Sequence, residues 1–464
     1  MNRELSRPGP AAVDTGSILR GATFALGVLL VMSTLSFLDR KALSLLVEPI
    51  RHDLRITDFQ FSLVQGASFS VFYVLLSFPV GWMVDRFSRR AIIYAGVSIW
   101  SAATIATGLS ANFIQILIAR SFVGVGEASL GPAAYSLLAD MFPKRKLGLA
   151  LTIFGSGAVI GGTGAFFMGA GVTYLLRKTH GVSLPYVGTI HAWQLVLGVM
   201  GVMGLVLGPL IFSFREPRRI PSPIARPAGW KVWAYLRERP RFYVCLFIGA
   251  GSHALLASAG AFWGPAFMIR TFHWNIAQVG VTLAALGAFT GMVGMVGSGL
   301  LVDRLFSRGV RDAHMVVFSG YAIISTITGV AAYLSTVPAV YLVLSAIHGM
   351  TSGIGGLAAA TLAVACPGEL RGRLSGMLVL VINLGTLGLA PSAVAFFTDF
   401  VFHNDARVGW SLAAVVAIFG PIACISLLLA RKPMRDLILE QEMEQAQGQE
   451  IARLEALGQS LAPV

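Results

Sequence analysis

Three ionisable residues stand in stretches of sequence that otherwise read as lipid-embedded. Arg120 and Glu127 lie within the apolar run Phe113 to Met141, and Asp39 lies late in an earlier apolar run. Arg120 and Glu127 are seven residues apart, which places both on one helix face, about two turns and roughly 10 Å from each other. A charge at bilayer depth costs at least ~2.5–3.5 kcal/mol, so such groups face a protein interior or a wet cavity and find partners there. The chemistry open to them is proton transfer. A carboxylate in a partly dry cavity holds its proton more tightly than in water, and a neighbouring arginine reverses that. An arginine that changes partner, or water that enters the site, would gate proton release. A structural reading stands beside this one, in which Asp39, Arg120 and Glu127 are an ion-pair cluster that fixes helix packing. The switch is the expectation, because intramembrane ionisable residues mark function by default.

The rest of the chain is built to hold such a site in a membrane. Of its 464 residues 55% are hydrophobic and 12% charged, with a mean hydropathy of +0.74. A soluble domain is about one quarter charged. Apolar runs of some twenty residues recur, each long enough to cross a ~30 Å hydrocarbon core. The pattern predicts an all-α polytopic membrane protein of twelve spans. These are expected at about 19–47, 58–85, 89–109, 113–141, 147–176, 192–214, 241–268, 276–302, 312–335, 338–365, 372–400 and 408–430. Thr57 and Asp58 are N-cap candidates for the second. The chain therefore divides into a tail (1–18), a six-helix half (19–214), a linker (215–240), a second half (241–430) and a polar tail (431–464) read as a solvated or frayed helix. Arg and Pro enrich the linker, and Trp230, Trp233 and Tyr235 suggest a short interfacial helix in it. Trp263-Gly264-Pro265 predicts a break near the outer end of the seventh span, its tryptophan lining the cavity or anchoring at the interface.

Loops after even-numbered spans, the linker and both tails hold most of the 35 Lys and Arg residues. The positive-inside bias makes this basic side, with both termini, the cytoplasmic one. Short loops point to a bacterial inner membrane. The net charge of +13 is thus an orientation signal and implies no nucleic-acid partner. The N-terminus lacks a signal-peptide pattern, so the first apolar run is expected to be retained. Cys245, Cys366 and Cys424 form no CxxC and read as packing residues. No Walker loop, metal-ligand spacing or nucleophile elbow occurs, so an enzyme, a metal site and a cofactor are not expected. The energy source is then an ion gradient or the substrate's own gradient.

An internal repeat relates the halves. Gly81-Trp82-Met83-Val84-Asp85-Arg86-Phe87-Ser88-Arg89-Arg90 follows the second span, and Gly299-Leu300-Leu301-Val302-Asp303-Arg304-Leu305-Phe306-Ser307-Arg308 follows the eighth. Parallel repeats with a site between them are typical of secondary transporters. Six plus six helices with this Gly-x-x-x-Asp-Arg-x-x-Arg-Arg loop resemble the major facilitator superfamily over about residues 20–430, with Ser88 where that family usually has Gly. The first half resembles the spinster-like lipid transporters. The stretches that carry this are Phe37-Leu38-Asp39-Arg40, Arg120 to Ser129, Leu138-Ala139-Asp140-Met141-Phe142-Pro143 and Phe214-Arg215-Glu216-Pro217-Arg218. The organic-anion symporter branch shares the Asp-Arg after the first span. The drug-antiporter motif's Gly-Pro is missing from the glycine-rich fifth span.

The resemblance implies alternating access, a proton-switch role for Asp39, Arg120 and Glu127, and a lysolipid or sphingoid-type substrate. It also implies that the loop at Gly81, Asp85, Arg86, Arg89 and Arg90, with Asp303 and Arg304 in the second copy, latches the cytoplasmic side of the outward-open state. The alternatives are a proton-linked carrier of small organic anions or drugs, and a membrane scaffold that transports nothing. Two placements are open for Arg40 and Lys41: lining the cavity, where they would receive an anionic head group, or snorkelling to the outer interface. Gln65, Tyr135, His253, His348 and Asn383 are polar groups within spans. They are cavity candidates, although a lone intramembrane His is more often a packing residue. A monomer in the bilayer is expected.

Overall fold

The computed structural model describes residues 15–179, 182–184, 188–217, 229–351, 354–367 and 370–460. The first fourteen residues, the linker segment 218–228 and the last four residues lie outside it, and with them part of what the sequence assigns to tails and linker. Among the described residues eleven helices are long and apolar enough to cross a membrane. Together with a broken one they form twelve spans.

Span 1 is Thr15–Leu45, span 3 Arg89–Gly108, span 5 Lys144–Thr179 and span 6 Ala192–Leu207. Span 7 is Pro240–Phe272, span 8 Ile276–Ser307, span 9 Ala313–Leu334 and span 12 the start of the long helix Val408–Ser460. The remaining four are irregular. Span 2 runs Asp58–Arg86 with a wide π-type turn at Leu63–Ala67, and span 11 runs Arg371–Val401 with such turns at Leu384–Leu389 and Phe397–Val401. Span 4 is two helices, Phe113–Glu127 and Leu130–Met141. Pro132 lacks the N–H that would bond to Ala128, so the ladder breaks just after Glu127. Span 10 is divided into Pro338–Met350 and Ile354–Ala365. A two-stranded hairpin, Val182–Leu184 with Gly188–Ile190, joins spans 5 and 6.

Several local expectations need correction. Thr57 caps span 2 through a reciprocal bond with Gln60, which leaves Asp58 free for ion pairing. Between spans 1 and 2 the chain forms a further short helix, Val47–Leu54. No break occurs at Pro265. Span 7 continues through it, and Trp263 is fully buried with its indole N–H donated to the Pro391 carbonyl at 3.0 Å, so it is neither cavity lining nor interface anchor. Neighbouring helices tolerate a proline where they satisfy the freed backbone. The C-terminal tail is docked at its start: Met434, Leu437 and Ile438, on one helical stripe, are buried in the second half's core, and Arg431 pairs with Asp312 at 2.9 Å.

Across the interface span 2 packs on span 11 and span 5 on span 8, the same contact repeated by the internal symmetry. The cores reveal how the halves meet. One apolar cluster, away from the basic side, mixes both halves: Leu43, Phe61 and Trp193 pack with Trp263, Phe267 and Val394. Two others lie toward the basic side, each confined almost entirely to one half. Spans 2, 5, 8 and 11 are also the least buried apolar helices. The halves are thus fused on the far side and parted on the basic side, so the cleft between them opens there.

Candidate functional site

Span 1 supplies Ser36, Asp39 and Arg40 one turn apart, and span 4 supplies Arg120 and Glu127. Two glycines bring span 4 in. A Cβ on Gly126 would lie 2.6 Å from the Gly96 carbonyl and the Trp100 amide of span 3, and one on Gly124 would collide with the backbone of Phe69 in span 2. Only bare backbone allows this approach, and it holds the end of Phe113–Glu127 against spans 1 to 3.

The charges form two separate pairs. Arg120 Nη1 donates to Asp39 Oδ2 at 2.9 Å, and the Thr104 hydroxyl donates to Asp39 Oδ1 at 3.0 Å. Arg40 Nε donates to Glu127 Oε2, which also accepts from the Ser36 hydroxyl at 2.7 Å. Asp39, Arg120 and Glu127 are 3%, 1% and 1% exposed, whereas the Arg40 side chain retains 16% exposure. The Arg40 guanidinium lies over Phe69 and Tyr73, 4.8 and 5.1 Å from the ring centres, so it faces inward and does not snorkel to the interface. Glu127 Oε1 is buried with no hydrogen-bond partner among the described residues. A buried, unsatisfied carboxylate oxygen is costly, and that cost disappears when the oxygen carries a proton donated to water or ligand.

The repeated loop is placed differently from a closed latch. Asp85, Arg86, Asp303 and Arg304 are exposed on the basic side, and Arg86 stacks on Trp82. A Cβ on Gly81 or Gly299 would meet nothing within 4 Å, so neither glycine is in a tight contact here. Arg89 is fully buried and committed to its own half: it pairs with Asp140, donates from N and Nε to Glu216 Oε1 at 2.9 Å each, and reaches the Pro217 carbonyl. Arg90 donates to the Phe214 carbonyl. Asp140 and Glu216 stand in stretches that carry the spinster-like resemblance, but nothing local marks them as arginine partners. Burial would push the Glu216 carboxyl up, yet hydrogen bonds from Ser88, Arg89 and Arg90 outweigh it and hold the group below the ordinary carboxylate range. Such a group stabilises the fold fully above its unfolded value, about 4.3, and loses that contribution as pH falls toward the lower folded value. Glu216→Gln is expected to lower Tm at pH 6 and to show a smaller further loss between pH 6 and 3.5 than wild type. An equal acid loss in both proteins would refute this.

The far side holds a cluster that sequence reasoning missed. Arg270 of span 7 grips Asp58 of span 2 bidentately at 2.7 and 2.8 Å and donates to Glu48 at 2.6 Å. Arg51 bridges Asp58 and Asp405, 2.9 Å from each, and the Phe59 amide donates to Asp399 at 2.7 Å. Every one of these links except Arg51–Asp58 joins the two halves. Arg270 lies just beyond the expected end of span 7, where a terminal charge is unremarkable in sequence.

The other candidates scatter. Gln65 is buried at the span 2 π-turn with neither amide atom partnered among the described residues. Tyr135 is exposed and edge-on to Phe154. His253 is buried in the second half, its Nε2 3.1 Å from the Thr351 carbonyl. His348 contacts Ser325 and also lines a cavity between the halves. Asn383 is half-buried at the span 11 π-turn.

Relatives and solved structures resemble this arrangement. An MFS-type efflux pump of Mycolicibacterium smegmatis is 28% identical over 313 residues, 65% of this chain and 68% of the pump. Human protein spinster homolog 1 is 28% identical over 312 residues, 62% of this chain, and the chain spans about half, 54%, of that relative. The crystal structure of a bacterial homolog to the human lysosomal transporter spinster, inward-facing and unoccupied, superposes with a TM-score of 0.71 at 21% identity, covering 90% of this chain and 97% of the other. The sequence signature described as Major Facilitator Superfamily matches residues 29–327, well over half the chain. With two six-helix halves, an inter-half cleft and this signature, the chain belongs to the Major Facilitator Superfamily of membrane transporters, and within it resembles the spinster-like proteins.

Proposed function

We propose that the protein is a proton-coupled secondary transporter that works by alternating access, with Glu127 as the proton carrier. The observation that carries the reading is the Glu127 carboxylate itself: it is buried, held on one oxygen by Arg40 and Ser36, and bare on the other. Protonation would release Arg40, the one member of the cluster that water reaches. Asp39–Arg120, buried throughout, acts as the fixed anchor beside it. The Arg270 cluster is the far gate, and the 81–90 loop with its 299–308 copy is the basic-side latch, open in this state. The substrate is an anionic, lipid-like amphiphile of lysolipid or sphingoid type. The spinster-like resemblance supports that choice, and so does the pairing of arginine with aromatic and apolar walls. The proton gradient serves as energy source without a cofactor. The protein acts as a monomer in a bacterial inner membrane, basic side and termini in the cytoplasm.

The test uses purified protein in liposomes that enclose a pH dye. Lysolipids, organic anions and drugs are screened, the last because one relative is an efflux pump. The expected result is a substrate-dependent change in interior pH. Uptake with no pH change would refute coupling, and a response confined to small organic anions would refute the amphiphile.

A further inference from the structure

Every other buried or partly buried cation described above has a carboxylate. Arg40 has Glu127, Arg120 has Asp39, Arg89 has Asp140 and Glu216, and Arg270 has Asp58 and Glu48. Lys41 has none among the described residues. Its ammonium rests 5.0 Å from the centre of the Phe262 ring of span 7. It points into a cavity of about 320 Å³ walled by spans 1, 5, 7, 8, 9 and 10, the one where His348 lies. Among the described residues no acidic one lines that cavity. Tyr341, Ser345 and His348 put hydrogen-bonding groups around it, while Phe166, Leu283 and Leu286 make part of its wall apolar.

The fold aims Lys41 there deliberately. Span 5 presses its glycine face on span 1: a Cβ on Gly161 would lie 3.0 Å from Leu38 N and Phe37 Cβ, and one on Gly162 would touch the Lys41 stem at 3.8 Å. Asp39 and Arg40 turn toward span 4, so the next residue turns away from it, toward the second half. An uncompensated ammonium out of bulk water is expensive and favours a counter-anion.

We propose that Lys41 seats the anionic group, a carboxylate or phosphate monoester, of the transported amphiphile in this inter-half cavity, with the chain along its apolar wall. This rests on the amphiphile reading above. The seat is separate from the Arg40–Glu127 pair, whose charges already satisfy each other. A ligand here touches both halves, which lets its binding bias how they rock.

Binding is measured in nanodiscs with no gradient, using dodecyl phosphate, dodecanol and inorganic phosphate as probes. Lys41→Met is expected to weaken dodecyl phosphate at least about tenfold, the scale of a charge-assisted bond, and to leave dodecanol unchanged. Lys41→Arg should retain more affinity than Lys41→Met. In ligand-free protein, Lys41→Met should raise Tm, because it removes a lone, partly buried charge, whereas Arg40→Met should lower it. Equal dodecyl phosphate affinity in wild type and Lys41→Met would overturn the seat alone, as would a lower ligand-free Tm. Inorganic phosphate binding as well as dodecyl phosphate would mark a free-anion site and overturn the amphiphile. Absence of dodecyl phosphate and dodecanol binding to wild type would overturn the seat and the amphiphile reading together. Proton coupling is read separately through Glu127.

Discussion

Glu127→Gln is expected to reduce proton-driven substrate accumulation at least about 100-fold while substrate exchange at equal pH persists. Glutamine has the same shape and still accepts from Ser36 and Arg40, but it cannot take up or release a proton. Loss of one obligatory charge state removes the driving force and leaves the rocking motion intact. A purely structural Glu127 predicts the opposite pattern. Removing one partner of a buried pair costs ~3–5 kcal/mol, so Tm would drop and exchange would fall in parallel with accumulation. Arg40 is partly exposed and the glutamine still accepts its hydrogen bond, so the penalty for Glu127→Gln falls below that range. Asp39→Asn is the contrast. It strands Arg120, which water does not reach, so instability is expected to dominate. The discriminating pair of readings is Tm and exchange: Glu127→Gln should keep both, and Asp39→Asn should lose Tm. A Glu127→Gln protein that still accumulates substrate with the gradient would end the coupling proposal.

The second large effect is expected at the far gate. Arg270→Ala removes the bidentate grip on Asp58 and the bond to Glu48, and only Arg51 remains to compensate a fully buried Asp58 side chain. Truncating one partner of a buried charge pair costs ~2–5 kcal/mol, and here the cost falls on the far-closed state. At ~1.4 kcal/mol per factor of ten, the ratio of far-open to far-closed molecules should rise at least about 30-fold. Spin labels at His52 and Arg407, exposed on opposite halves, report the opening in a background with Cys245, Cys366 and Cys424 replaced by Ala. Arg270→Lys keeps the charge without the fork and should give an intermediate distribution. Unchanged label distances in Arg270→Ala would mean that the shared apolar cluster, and not the ions, holds the far side shut.

In the proposed mechanism these two sites respond to the same motion. The Arg270 cluster is joined while the basic-side cores are parted, and the Arg40–Glu127 pair links span 1 to span 4. Anything that releases Arg40 acts on the helix whose continuation, Val47–Leu54, carries Glu48 and Arg51 of the gate. In the proposed mechanism that chain of contacts would give proton state a route to the gate.

The linear sequence determined the membrane class, the span positions, the repeat and three of the buried charges. All four follow from local quantities: hydropathy over twenty residues, charge bias between runs, and the cost of any charge placed in one. It singled out Asp39, Arg120 and Glu127 because each is expensive where it stands. Which charge meets which was decided only by tertiary structure. Seven-residue spacing puts Arg120 and Glu127 on one face, but the rotation and register of span 1 against span 4 gives Asp39 to the first and Arg40 to the second. Nothing in either helix alone encodes that register. The Arg270–Asp58–Glu48–Asp405 gate escaped for a related reason. Its members sit at span ends, where a charge costs little and attracts no notice until the two halves bring four ends together. Trp263-Gly264-Pro265 misled in the other direction, since span 7 runs unbroken through the proline and the Trp263 indole bonds to span 11. Lys41 became distinct only when every neighbouring cation had been assigned a carboxylate in three dimensions and it alone had none among the described residues.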